Sequence, residues 1–288
     1  MRPKIVVAGV LALVTVACAD AQTGRGSPAP AIVHPTGPDQ VVLRVDLVGG
    51  FVAPDTTFAQ TPSFSLMGDG TAIEPGAQTE IYPGQALPPL IARTISEDGI
   101  QAILGAAIDA GLDRDATVGD LGSVGVSDLP TTVFTLSVNG ETHRVEAYGL
   151  GMSGDQRPDG MSQEMWAARQ ALSSFAERLG RLPAWLPEGS IGAGSSYAAP
   201  AAALLVRGYQ PDPGLTENAV AWPLGTPLAG FGSADPSAVG GRCGTVEGSD
   251  WAALRPVVQG ANTLTPWTSD GRRYAIVFRP LLPDQHDC

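Results

Sequence analysis

The chain has 288 residues, 43% of them hydrophobic and 16% charged, a balance that supports a buried core and excludes both a disordered chain and a miniature held by disulfides alone. Its 36 glycines and 25 prolines make it turn-rich without reaching the level of low-complexity sequence. Acidic residues outnumber basic ones by 29 to 17, for a net charge of −12, which argues against nucleic acid as a partner because phosphate neutralisation needs clustered lysine and arginine. The length allows one large domain or two small ones.

Arg2 and Lys4 precede an apolar run from Ile5 to Val16, the arrangement of a signal peptide. That run is shorter than the roughly 20 residues a spanning helix needs. Thr15-Val16-Ala17-Cys18 resembles the lipobox of bacterial lipoproteins, with threonine where leucine is usual. The resemblance implies cleavage before Cys18, lipid on Cys18, and a mature chain on the extracytoplasmic face of the cell envelope, with the membrane as its partner through that lipid. Several acyl chains suffice for stable anchoring, since each buried methylene contributes about 0.8 kcal/mol. An ordinary secretory signal with a chance cysteine is the other reading. Lipidation of Cys18 leaves Cys243 and Cys288, which pair in only one way in an oxidising compartment, free thiols being the alternative.

Residues 18–38 carry four prolines and three glycines with no apolar periodicity and read as a disordered tether in which His34 is solvated. Val41 to Leu47 reads as a strand stopped by Gly49-Gly50. Phe64, Leu66 and the Asp69-Gly70 turn predict a hairpin returning through Thr71 to Ile73. Ser96, followed by Glu97 and Asp98, caps a helix whose apolar face is Ile100, Ile103, Leu104, Ala107 and Ile108, with Gly111 ending it. Thr131 to Val138 and Glu141 to Tyr148 form a tight hairpin through Asn139-Gly140, which sets Val138 opposite Glu141 and Phe134 opposite Val145. A helix follows from about Ser162 to Leu179 with a stripe of Met165, Ala168, Leu172, Phe175 and Leu179.

A strand from Ala203 to Tyr209 opens the second half, where the order of parts recurs. Thr245-Val246, Trp251 and Leu254 echo Thr94-Ile95, Ile100 and Ile103, and Asp270-Gly271 echoes Asn139-Gly140. Pro256 is expected to break the second helix after about two turns. The expected fold is α+β, with antiparallel, hairpin-rich sheets each packed by a helix and a weak internal duplication. The organisation is a signal peptide over 1–17, a tether over 18–38, a first domain over 39–160, and a helix plus second domain over 161–288.

No residues present the spacing of a metal site, a nucleophile elbow or a phosphate loop. His34, His143 and His286 stand apart in sequence, and His143 reads as a half-buried framework residue. Asp113, Asp115 and Asp120 lack the glycine and glutamate of a calcium loop. No catalytic residue, metal or cofactor is therefore assigned. Gly49-Gly50-Phe51 is the remaining feature: paired glycines permit a bulge or positive φ, and the phenylalanine either turns inward, the favoured outcome, or fills a partner's pocket.

A first strand ending in Gly-Gly-Phe, a strand pair around Asp69-Gly70, a helix ending near Gly111-Leu112, and the Thr132-Val133-Phe134-Thr135-Leu136 hairpin with Asn139-Gly140 resemble emfourin-type inhibitors of thermolysin-like metalloproteases over about residues 41–149. The resemblance implies an inhibitory surface at Gly49, Gly50 and Phe51. The lipid anchor, the insert from Ala53 to Pro62 and the second half depart from that family. The expectation is a lipid-anchored, non-catalytic binding module whose partner is an extracellular protease or envelope protein. Inhibition of a secreted metalloprotease is the sharper alternative, and an envelope enzyme is the third.

Overall fold

A computed structural model describes residues 30–119, 121, 125, 128–152, 156–215, 217–235 and 240–288. The fold is α+β, with two mixed sheets that belong to one compact unit, Ile32–Cys288. Cys18 and the signal segment lie outside the described residues.

The first sheet uses the chain up to residue 196. Strand β1 (Val41–Gly49) leads to a short helix α1 (Pro54–Ala59), then β2 (Phe64–Met67), β3 (Thr71–Pro75) and β4 (Leu90–Thr94). Helix α2 (Glu97–Asp109), strands β5 (Ala116–Val118), β6 (Pro130–Val138) and β7 (Glu141–Tyr148), helix α3 (Gln163–Leu179) and β8 (Ser195–Ser196) complete it. Its order is β5-β7-β6-β1-β2-β3-β4-β8. The β6–β7 hairpin has the register that a two-residue turn dictates, Val138 opposite Glu141 and Phe134 opposite Val145, with Asn139 and Gly140 both at positive φ. Leu43, Val45, Phe134 and Leu136 form one face of the sheet, on which α2 and α3 pack through Ile103, Leu104, Leu172 and Phe175.

The second sheet follows the same logic with fewer strands. It contains β9 (Ala201–Gly208), β10 (Val220–Ala221), β11 (Ser233–Ala234), β12 (Arg242–Glu247), helix α4 (Gly248–Gln259), β13 (Trp267–Ser269) and β14 (Arg272–Pro280), in the order β10-β13-β14-β9-β12-β11. Trp267 pairs with Tyr274 across the Asp270-Gly271 turn, and packs edge-on against Trp222 and Phe278 at centroid distances of 6.0 and 5.5 Å. Trp251, Leu254 and Val258 of α4 cover this core.

Several expectations change. The tether does not run free to residue 38. Ile32 exchanges two hydrogen bonds of 2.8 Å with the Gln101 amide, and Asn139 N donates to Val33 O at 2.7 Å. His34, expected in solvent, has a side chain only 6% exposed and meets Glu97. Gly68 is required where this segment crosses the β2–β3 turn, because a Cβ there would stand 2.7 Å from the Gly37 backbone. Ser96 occupies the N-cap of α2 without a side-chain capping bond, whereas Ser162 caps α3 through Met165 N.

Helix α4 continues through Pro256 to Gln259. Ala252 and Pro256 are both exposed, so water can take the carbonyl bond that proline cannot supply. Helix α3 belongs with the first sheet rather than the second half, because Leu172, Phe175 and Leu179 share the core of β1 and β6. Neither sheet is wholly antiparallel: β5 pairs parallel with β7 and β10 with β13. The repeated parts differ in order. Strand β12 pairs directly with β9, whereas β2 and β3 stand between β1 and β4, and the hairpin strand beside the central strand is the first in one sheet and the second in the other.

Candidate functional site

The end of β1 presents the Gly49-Gly50-Phe51 segment. Gly49 and Gly50 adopt φ of +72° and +85°, a region that costs other residues energy. Gly49 stands opposite Pro130 at the end of the β1–β6 ladder, and Phe51 N donates to Asp128 O at 3.1 Å, so the tip is held by the ladder before Gly50 and by a backbone bond after it. Phe51 is 89% exposed, which corrects the inward placement expected from burial statistics. Leu47, Val48 and Val52 beside it are exposed too. The physical reason is the backbone: two successive positive φ values turn the chain outward before Phe51.

From Val52 the chain enters α1, whose place is set by the second sheet. Phe58 packs on Ala201, Ala203 and Leu281, and Asp55 forms an ion pair with Arg207 of β9. The insert from Ala53 to Pro62 is therefore a wall. Between α1 and β11 lies a groove of about 640 Å³ bordered by Val52, Phe58, Leu205, Arg279 and the two cysteines. Cys243 and Cys288 are joined, with Cα atoms 6.1 Å apart. Arg279 lies 5.5 Å over the Phe58 ring. Burial pulls its pKa below the ordinary arginine value, with Asp287 opposing. The sequence places Arg279 on the face opposite Ile276 and Phe278, by strand alternation, but nothing local shows that α1 lies over that face.

A polar seam crosses the outer face of the first sheet. Arg44 makes a bidentate pair with Asp284 at 2.7 and 2.6 Å, tying the segment after β14 to β1. Burial pushes the Tyr197 phenol up to about 12, with the Asp284 charge adding to the shift. The Asp46 carboxyl is raised above its ordinary value near 3.8, chiefly by burial and also by Asp284, against the lowering effect of Arg44 and Arg144. A carboxyl that binds its proton more tightly in the folded state stabilises the fold in acid and loses that contribution as pH rises through the folded pKa. Asp46→Asn is expected to melt higher than the wild type at neutral pH and to show no advantage below about pH 3. Thermal melts across that range check it, and an advantage growing in acid would contradict the sign.

The remaining sequence candidates do not converge. His143 is half-buried beside Glu141, Asp115 accepts from Arg144 N at 2.7 Å, and Asp120 lies outside the described residues. Among the described residues no cluster of three metal-ligating side chains occurs. Ser196, in the glycine-rich loop, borders a cavity of about 210 Å³ whose lining does not include Asp46. No protein-family model, curated protein or solved structure matches this chain.

Proposed function

We propose that the chain is a lipid-anchored, extracytoplasmic binding module and that its partner-binding end is the Gly49–Val52 tip. The observation that carries this reading is the exposure of Phe51 on a backbone that is already fixed. A large ring held outward loses little conformational freedom on docking, and such anchors dominate interface energetics when a pocket desolvates them. The membrane part of the reading rests on the N-terminal sequence, Arg2 to Cys18.

The same observation favours one specific form of the reading, inhibition of a secreted thermolysin-like metalloprotease. In that form Phe51 occupies an apolar substrate pocket and the glycines give it close approach. Titrating such proteases with the full chain should remove activity stoichiometrically. Phe51→Ala should weaken inhibition by at least about thirtyfold, as expected for loss of an interface anchor. Equal inhibition by both forms would sink the tip as the site. An absence of inhibition by either, with Phe51-dependent binding to an envelope protein, would leave the broader module reading and retire the protease.

A further inference from the structure

The most exposed large apolar residue among the described residues, Phe51 at the end of β1, stands beside the groove at α1. The next residue, Val52, lines that groove with Pro54, Phe58 and Leu205, whereas Phe51 itself is no part of the lining. A knob and a hole therefore share one patch of surface, and both are apolar. The one cation of the groove is already served. Arg279 Nη2 donates to Asp287 O and Cys288 O at 3.1 and 3.4 Å, the Asp287 charge lies close to it, and Asp235 stands at the rim. The guanidinium covers the Phe58 ring, a packing that a second neutral ring can extend without any added charge.

We propose that two copies of this chain pair about a two-fold axis, each Phe51 ring seated in the other copy's groove against Val52, Phe58 and Leu205. A two-fold contact uses the same patch on both copies, so the patch must complement itself. A held knob next to a hole of matching chemistry meets that condition. In a single copy Phe51 stays in water, so the occupant comes from a second molecule. The groove, of about 640 Å³, has the size of sites that enclose small ligands and admits a ring with part of its flanking chain. Each seated phenylalanine removes about 150–250 Å² from water. With the walls that cover both rings and the exposed parts of Leu47, Val48 and Val52, the pair buries roughly 1,000 Å², the lower bound of a specific interface. The dimer is therefore reversible, with a dissociation constant on the order of micromolar. Each copy carries a net charge of −12, so repulsion opposes pairing and salt, by screening it, tightens the dimer. The pairing goes beyond the tip reading: a ring seated in a second copy is withheld from any other partner.

The test is analytical ultracentrifugation of the full chain carrying Cys18→Ser, which keeps acyl chains out of the association, with Phe51→Ala and Ala234→Trp added singly to that parent. The parent should form a dimer and nothing larger, because a two-fold contact closes on itself. Phe51→Ala removes the knob, and Ala234→Trp, at an exposed position on the groove's edge, fills the hole. Each should weaken the dimer at least about thirtyfold with its melting temperature unchanged. A mixture of the two variants holds one intact knob and one open hole, and should form a heterodimer although neither variant pairs with itself. Phe51 lies outside the core, so its variant keeps the test decisive if Ala234→Trp fails to fold. A parent that stays monomeric at about 1 mM, a Phe51→Ala chain that dimerises like the parent, a mixture no more associated than its folded components, or a dimer that loosens with salt would each overturn the pairing. None of these results bears on the tip reading, which protease titration and envelope binding decide.

Discussion

Arg169→Met is expected to lower stability by about 3–5 kcal/mol, although methionine nearly preserves the volume. Arg169 lies on α3 with only 1% of its surface exposed. Its guanidinium donates to three carbonyls, Val118 O at 3.1 Å, Tyr148 O at 2.9 Å and Gly149 O at 2.7 Å. These belong to the end of β5, the end of β7 and the turn that follows, so one side chain ties the edge of the first sheet to the helix covering it. Methionine would remove the guanidinium from all three carbonyls, leaving Gly149 O its backbone bond from Met152 N at 3.2 Å, and each group orphaned where water does not reach costs about 1–3 kcal/mol. Arg169→Lys keeps the charge and one donor group, and should recover part of the loss. Urea unfolding of the three proteins checks this. A loss under about 1 kcal/mol in the methionine variant would mean that the carbonyls find other partners.

Arg169 also shows where reading the sequence stops. It follows Met165 by four residues and precedes Leu172 by three, which puts it on the apolar stripe, yet composition favours Ala168 as the buried neighbour. The structure leaves Ala168 half-buried and buries the arginine, because the carbonyls it serves come from strands 20 to 51 residues away. The hairpins were legible because their turns and pairing are local: Asn139-Gly140 and Asp270-Gly271 set the register without reference to the rest of the chain. Strands buried on both faces were harder. All four residues of β2 are buried, since Phe64 and Leu66 face the helices while Met67 meets Leu282, and alternation cannot signal a second covered face. The candidate sites divide in the same way. Gly49-Gly50-Phe51 could be named from three adjacent residues, but its outward direction needed the backbone angles. The groove needed α1 to be carried onto the second sheet by Phe58 and the Asp55–Arg207 pair, which no local pattern announces.

Replacing both Cys243 and Cys288 by serine is expected to cost about 4 kcal/mol, from the entropy of a closed 45-residue loop. The loss should be measured with the full chain, and reduction of the wild type should reproduce it. A cost below about 1 kcal/mol would show that the loop is already constrained in the unfolded state. The segment after β14 has a second fastening in Arg44–Asp284, and a third in the burial of Leu281 and Leu282. Such fastenings act on the same residues, so their contributions are not additive. With the bridge intact, Arg44→Met should cost less than it does in the serine variant, since the disulfide already holds the segment near its place. The excess cost in the serine background is the coupling between the two fastenings, and equal costs in both backgrounds would show that each holds its own part of the segment independently.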